Sequence, residues 1–466
     1  MVHGGAALRI LMQSGRRSGA LGYAPAAIRD KMPARPPKQD RQILGLHFFI
    51  LQTMRKFKLL ALCSLTTLMH LSASCHAQSL QWRGLLDLRA QKTDGERSWV
   101  DAGFGKSRTD SQSNHLYLGQ AVLRGELDLP YDTSATMVAS ASAQHRGVLD
   151  VREAWIGWNP VPSSAWKTRV KAGFFFMPSS VEIDYDDIAW SPTRTLSSSA
   201  INSWIGEELR TNGVQWQLLH SGRQQGSPHD FGLTAAIFNG NDPAGTLLAW
   251  RGWSISDRIG GRNEADQLVD LPVNRPDGAI PRQHRTIHPF REIDGRLGFY
   301  LGANYQYANQ LELAFQHYDN RADPLVVKNG QYGWHTRFDH LSLVLRPAGR
   351  WEMLMQTMRG DTVMGDNAVA IDYQAWYLLL AHPLGPGKLA LRYDRFSTSE
   401  RDALPQDPNS EKGHALALAY SVVLRKNLAW TTEYLRVNSQ REARRIIGLA
   451  PDQLERSLST ALRWQF

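Results

Sequence analysis

From position 78 to the end of the chain, apolar and polar residues alternate with a period of two, the pattern of strands whose two faces meet different surroundings. The last segment is the clearest. Leu458, Thr460, Leu462, Trp464 and Phe466 form one face, and Ser457, Ser459, Ala461, Arg463 and Gln465 the other. Residues 116–129 behave likewise, with Tyr117, Gly119, Ala121, Leu123, Gly125, Leu127 and Leu129 opposite a face holding Gln120, Arg124, Glu126 and Asp128. A strand with charges along one side and aliphatics along the other needs water on the first and lipid or protein on the second. The same pattern predicts strands near 80–91, 115–129, 135–145, 150–158, 168–176, 212–220, 231–238, 296–306, 310–318, 333–345, 350–359, 371–381, 388–397, 413–423, 428–438 and 457–466, about sixteen in all. The fourth fits worst, because Arg152 and Glu153 are adjacent and cannot share one face of a regular strand.

Connector lengths alternate too. Short ones fall at 130–134, 159–167, 221–230, 308–309, 347–350, 382–387 and 426–427, several carrying Pro, Gly or Asn turn chemistry. Long ones span 92–114, 177–211, 239–295, 319–332, 360–370, 398–412 and 439–456, with a brief exception near 146–149. Short turns on one side and long loops on the other are the habit of an all-β, antiparallel, up-and-down transmembrane barrel, whose even strand number puts both termini on the periplasmic side. Closure is the only way such strands satisfy their backbones in a bilayer. Trp216, Trp351, Trp376, Trp430, Tyr434 and Trp464 lie on or near strand ends, where amphipathic rings favour the membrane interface.

Composition sharpens this picture. No stretch after 78 offers the roughly 18 apolar residues of a membrane helix, and the mean hydropathy is −0.38. The formal charge of +9 suggests nucleic acid as a partner until its position is examined. Residues 1–77 hold 11 basic and 2 acidic residues, and the remaining 42 of each sign cancel, so no nucleic-acid surface is expected. That leader has a basic start, Met54-Arg55-Lys56-Phe57-Lys58, an apolar core over 59–73, and small residues before Gln78, so 54–77 reads as a signal peptide and export follows. Residues 1–53 have no role ahead of such a signal, and Met54 is the expected initiator. Both cysteines, Cys63 and Cys75, lie in the leader, so 78–466, the expected barrel, has no thiol chemistry. Leu71-Ser72-Ala73-Ser74-Cys75 also resembles a lipoprotein signal, with serine where leucine is usual.

The ending Leu462-Arg463-Trp464-Gln465-Phe466 resembles the terminal strand that barrel-assembly machinery recognises, with Trp464 and Phe466 as the signal residues. More narrowly, Val170-Lys171-Ala172-Gly173-Phe174 running through Pro178 into an acidic loop, then Gly206-Glu207-Glu208 leading to Gly213-Val214-Gln215, is similar to the phosphate-selective porin family. That resemblance implies a 16-stranded trimeric porin with its third loop, 177–211, folded inward. The loop is long enough that a structureless excursion is disfavoured. Its acids Glu182, Asp184, Asp186 and Asp187 are the expected constriction, and acidic rings favour cations. Arg83, Asp87, Arg89, Arg124, Glu126, Arg169, Lys171, Arg392, Asp394 and Arg463 occupy polar strand faces and are the expected pore lining, since each would cost about 2–4 kcal/mol facing lipid at mid-membrane. A chain neutral from 78 onward with an acidic third loop departs from the dense basic pathway of the phosphate-selective family.

The function expected is passive diffusion of small hydrophilic or charged solutes through an outer-membrane porin, with lipids, assembly machinery and solutes as partners and no cofactor. Gly103-Phe104-Gly105-Lys106-Ser107 contains the end of a phosphate-binding loop, but Val100 stands where its first glycine belongs. His284 and His288 have zinc spacing only on a helix, and Pro289 follows directly. The alternatives are an anion or phosphate channel and a barrel lipase or protease. For the enzyme, His220, His317, His335 and His340 are available bases, yet no serine carries a local signature. An adhesive barrel and a secreted β-sandwich rank below these.

Overall fold

The structure, a computed structural model, describes residues 79–113, 115–142, 149–183, 188–347, 349–402, 404 and 406–466. The expected leader, and Asp184, Asp186 and Asp187, lie outside the described residues. Sixteen antiparallel strands pair in sequence order and close on themselves. They are β1 Leu80–Thr93, β2 Leu116–Leu129, β3 Thr133–Ala141, β4 Asp150–Trp158, β5 Trp166–Phe175, β6 Thr211–His220, β7 His229–Asn239 and β8 Gly298–Tyr307. The second half comprises β9 Leu311–Asp319, β10 His335–Leu345, β11 Glu352–Met364, β12 Val369–Leu384, β13 Gly387–Glu400, β14 Glu411–Arg425, β15 Leu428–Arg441 and β16 Asp452–Gln465. Among the described residues no helix is long and apolar enough to cross a membrane, which says nothing against strands.

The seam joins β1 to β16 from Leu85↔Gln465 to Thr93↔Ser457, and the 84 and 466 backbones exchange hydrogen bonds of 2.9 and 3.0 Å. Phe466 therefore completes the ladder, and its ring lies over Gly84, where a Cβ would sit 2.1 Å from it. Gly84→Val is expected to expel that ring and weaken the seam by about 1–3 kcal/mol, the usual range for overpacking. A smaller fraction of heat-resistant folded barrel on a denaturing gel would register it.

Alternation gives the wall two chemistries. Leu88, Leu301, Phe315, Leu341, Leu391, Leu418, Leu458 and Leu462 face outward and are exposed, as an apolar band must be if lipid covers it. Trp216, Trp376, Trp430, Tyr434 and Trp464 share the outward face, and Trp351 is exposed at a turn.

Two bulges in the first four strands correct the regular alternation. Asp87 pairs with Gln120 and Leu88 with Leu118, leaving Gly119 unopposed. Tyr117, expected on the outer face, consequently turns inward, where Arg108 lies 5.6 Å from its ring. Val138 pairs with Glu153 and Ala139 with Val151, so Arg152 is the extra residue. An added residue lets neighbours share a face. Arg152 donates to Gln120 at 2.9 Å and Glu153 accepts from the Phe176 amide at 3.2 Å, so both point inward.

All turns lie at one end with residues 79 and 466, and the loops, in their described residues, at the other: L1 94–115, L2 142–149, L3 176–210, L4 240–297, L5 320–334, L6 365–368, L7 401–410 and L8 442–451. L6 is shorter than the expected 360–370, because β11 and β12 run on as a hairpin to Met364 and Val369.

Candidate functional site

The barrel interior is where the chain invests its chemistry. Most of the described part of L3 is buried, and its helix α1, Ala200–Glu208, has all nine residues inaccessible. Ser199 caps it, accepting from the Asn202 amide, which satisfies one of the donors a helix start leaves open. L4 enters beside it with α2, Thr246–Trp250, also wholly buried. Trp204 packs its ring against Trp253, Phe338 and Tyr373 at 5.9, 5.7 and 5.2 Å, and Trp250 meets Trp334 at 5.2 Å. Loop and wall thus share one apolar core, in which inward Tyr300, Tyr318, Phe396 and Val437 also take part. At the loop end the lumen holds a protein plug.

Polar strand positions fasten the plug. Arg392 on β13 bonds Glu182 of L3 at 2.7 Å and Asp394 at 2.8 Å, and donates to the Ser197 and Ser198 carbonyls. Asp394 in turn accepts from the Ala200 amide at 3.1 Å. Glu182 takes three more hydrogen bonds from the Ser199 amide and the Asn202 side chain. On the β1 part of the wall Asp87, Arg89, Asp257 and Arg108 form a chain of pairs at 2.7, 2.5 and 3.0 Å joining β1, L4 and L1. Lys106 of L1 pairs with Glu411, which also accepts from the Trp253 amide. The two plug loops hold each other through Glu207–Arg251 at 2.5 Å and the Leu247 amide donating to Glu208 at 3.0 Å.

These placements correct part of the expected pore lining. Asp87, Arg89, Arg392 and Asp394 do face inward, but all four are buried against the plug and paired. Glu182, expected in a water-filled constriction, is wholly buried and ligated by Arg392. A fully paired carboxylate offers little field to a passing ion.

Arg83, Arg124, Glu126, Arg169, Lys171 and Arg463 lie nearer the turn end, and there all but the buried Arg124 keep contact with solvent. Arg83 reaches Glu126 at 3.2 Å with its side chain 37% exposed, and Arg124 reaches Glu126 at 2.5 Å. Arg169 is exposed, Lys171 half-buried over the Trp155 ring at 4.4 Å, and Arg463 half-buried against Asp87 at 2.9 Å. The alternation left unnamed a cluster on the facing wall: Glu352 draws Arg194 of L3 to 2.6 Å, Arg346 to 3.5 Å and Lys388 to 3.8 Å, while Arg346 bonds Glu312 at 2.5 Å. In this turn-end chamber the named cations outnumber the named acids. Between plug and β1–β2–β15–β16 wall remains a cavity of about 30 Å³, the scale of one or two waters, bordered by Arg89, Arg108, Tyr117, Ser197, Asp257 and Glu433.

Burial pushes the Glu208 carboxyl in α1 up from 4.5 to about 7, against the opposing hydrogen bonds from the Leu247 amide and the Trp204 indole. Between about 4.5 and 7 the docked loop therefore holds a proton that a released loop sheds. Docking is strengthened by acid and loses that contribution as pH rises through about 7. Conductance, if the plug gates it, is expected to be higher at pH 8 than at pH 5, and Glu208→Gln should flatten the difference.

Among the histidines, His340 is buried beside Gln356 at 2.8 Å, while His317 and His335 pair with Asp339 and Asp319 on the outer face. None of these contacts involves a serine.

No family model matches the chain, and no curated protein matches it. Solved structures do. The chain is similar to the outer membrane channel DcaP of Acinetobacter baumannii, at 10% identity over 84% of this chain and 98% of that one, with a TM-score of 0.48. It is similar to an anion-selective porin from Comamonas acidovorans, at 12% identity over 84% and 100%, TM-score 0.46. In-vitro folded OmpT of Vibrio cholerae, in a trimer form, matches at 9% over 84% and 100%, TM-score 0.46.

Proposed function

We propose that the chain is an outer-membrane channel for small hydrophilic solutes, with its turns and both termini in the periplasm and its third and fourth loops limiting passage. One observation supports it above others: a closed barrel carries an apolar belt outside and, inside, a solvated charged chamber running up to a loop plug. Such a wall is stable only with lipid on one face and water on the other. Residues 1–53 and 54–77 are proposed as a spurious extension and an export signal. Trp464 and Phe466 are proposed as the assembly signal, and a homotrimer as the assembled form.

The described L3 acids Glu182, Glu207 and Glu208 are wholly buried, so the cations of the turn-end chamber favour small anions over the cations first expected.

Single-channel recording of the refolded chain from residue 78 onward in a planar bilayer, under a salt gradient, tests both. Small steps with a reversal potential displaced toward the anion equilibrium value are expected, and neutralising Arg83, Arg169 and Lys388 together should move it toward zero. Cation preference would reject the chamber proposal and return selectivity to Asp184, Asp186 and Asp187. An inserted barrel without conductance would reject the channel and favour an enzyme.

A further inference from the structure

At the loop end the outward face divides in two. On β9–β12 bases and acids meet across the strands: His317 bonds Asp339 at 2.8 Å, His335 bonds Asp319 at 3.0 Å, Arg337 pairs with Asp361 at 2.9 Å, Arg401 of L7 pairs with Asp372 at 3.0 Å, and exposed Arg359 lies directly opposite Asp339. On β13–β16 they do not. Arg395, Lys412 and Arg436 are exposed and have no ion pair among the described residues, and Arg456 has only a 3.8 Å approach from Asp94, with both more than half exposed.

The register packs these cations together. Arg436 lies directly opposite Arg456, and Arg395 directly opposite His414. Lys412 faces Ser397 and so stands diagonal to Arg395. Directly opposed side chains lie about 4.5–5.5 Å apart at Cβ and diagonals about 7–8 Å, and like charges so placed repel. An unshared row of bases on one strip of wall, beside a strip where each base has an acid bonded or directly opposite to it, calls for an anion from outside the chain.

The next outward residue toward the turn end identifies the anion's source. Tyr393 follows Arg395, Leu416 follows His414, Tyr434 follows Arg436 and Leu458 follows Arg456, all of them exposed. His414 also stacks on Tyr393 at 6.1 Å. The cations therefore stand at the upper edge of the apolar belt, where charge on a lipid-facing strand stops being costly and headgroups begin.

We infer that Arg395, Lys412, His414, Arg436 and Arg456 form a docking site for the phosphate groups of an anionic lipid in the leaflet on the loop side, its acyl chains lying on the aliphatic band below. The inference rests on the membrane-spanning barrel proposed above. Multiple cations within reach of one headgroup give charge-assisted hydrogen bonds that a zwitterionic lipid, carrying its own cation, satisfies poorly.

The test uses the refolded chain from residue 78 in mixed micelles, with cardiolipin as the two-phosphate probe and phosphatidylcholine as comparison, bound lipid being counted by native mass spectrometry. Cardiolipin is expected to bind at least about tenfold more tightly, less so as salt rises. The Arg395→Gln/Lys412→Gln/Arg436→Gln triple variant should lose that preference, while Arg337→Gln/Arg401→Gln, in the paired strip, keeps it. Heat-resistant migration on a gel verifies that each variant is folded. Equal retention of both lipids, an unchanged triple variant, or displacement of cardiolipin by inorganic phosphate at matched concentration would each overturn the site. A triple variant that changes only the oligomeric state would assign the strip to a second copy instead. Failure to enter vesicles at all would sink the membrane proposal with it, whereas an inserted, conducting barrel without lipid preference sinks this inference alone.

Discussion

Arg392→Met is expected to detach the third loop from the wall and increase conductance several-fold. The guanidinium holds Glu182 and Asp394 together and two loop carbonyls besides, in a place with no access to water. Methionine fills similar space but leaves two carboxylates facing each other unpaired. Breaking a buried pair from one side costs about 3–5 kcal/mol, more than most single contacts, because the orphaned charge must be resolvated or protonated. The loop can meet that demand by leaving, since the barrel wall is held by its own ladders. Open-channel current should therefore rise while heat-resistant migration is retained. The control is the triple neutralisation Arg392→Met/Glu182→Gln/Asp394→Asn, which leaves no stranded charge and should restore a small conductance. A single variant that conducts like the parent would show that the triad does not hold the loop.

The wall was legible in the chain because a strand exposed to two media advertises both. Alternation located sixteen strands to within a few residues, and connector lengths arranged them up and down. Faces were less legible where a residue was inserted. Nothing in the pattern around Gly119 marks a bulge, though the clash between Arg152 and Glu153 was a sign of one: two inward polar neighbours need an extra residue between the ladder partners.

The plug was harder to see, since contacts between 182 and 392 or between 106 and 411 leave no local trace. Inward charges looked like a wet lining, and half of them are. One signal for the dry half was present. On β12 the inward residues Val369, Ile371, Tyr373, Ala375, Tyr377, Leu379 and Ala381 are as apolar as the outward Trp376, Leu378 and Leu380. A strand apolar on both faces is buried on both. Leu247, Leu248, Trp250, Trp253, Ile255 and Ile259 make the fourth loop equally unsuited to open water, and these side chains share one buried cluster with the inward face of β12.

That dry interface carries the second large effect expected. Trp204→Ala removes a ring with no exposed surface from among Trp253, Phe338 and Tyr373, and takes away the indole donor to Glu208 at 2.5 Å. Emptying such a site costs about 3–5 kcal/mol. The loss falls on the plug alone, because the strand ladders do not pass through Trp204. Limited proteolysis should then cut the third or fourth loop at least tenfold faster than in the parent, while the strands stay protected and the gel shift persists. The same variant should conduct in a noisier, larger pattern, as a loop that docks weakly exchanges between states. Trp204→Phe, which keeps most of the ring and loses the indole, separates packing from the hydrogen bond: near-parental protection would assign the effect to packing, and rapid cleavage would assign it to Glu208. If Trp204→Ala unfolded the whole barrel instead, plug and wall would be one cooperative unit, and a gate built from the third and fourth loops would be untenable.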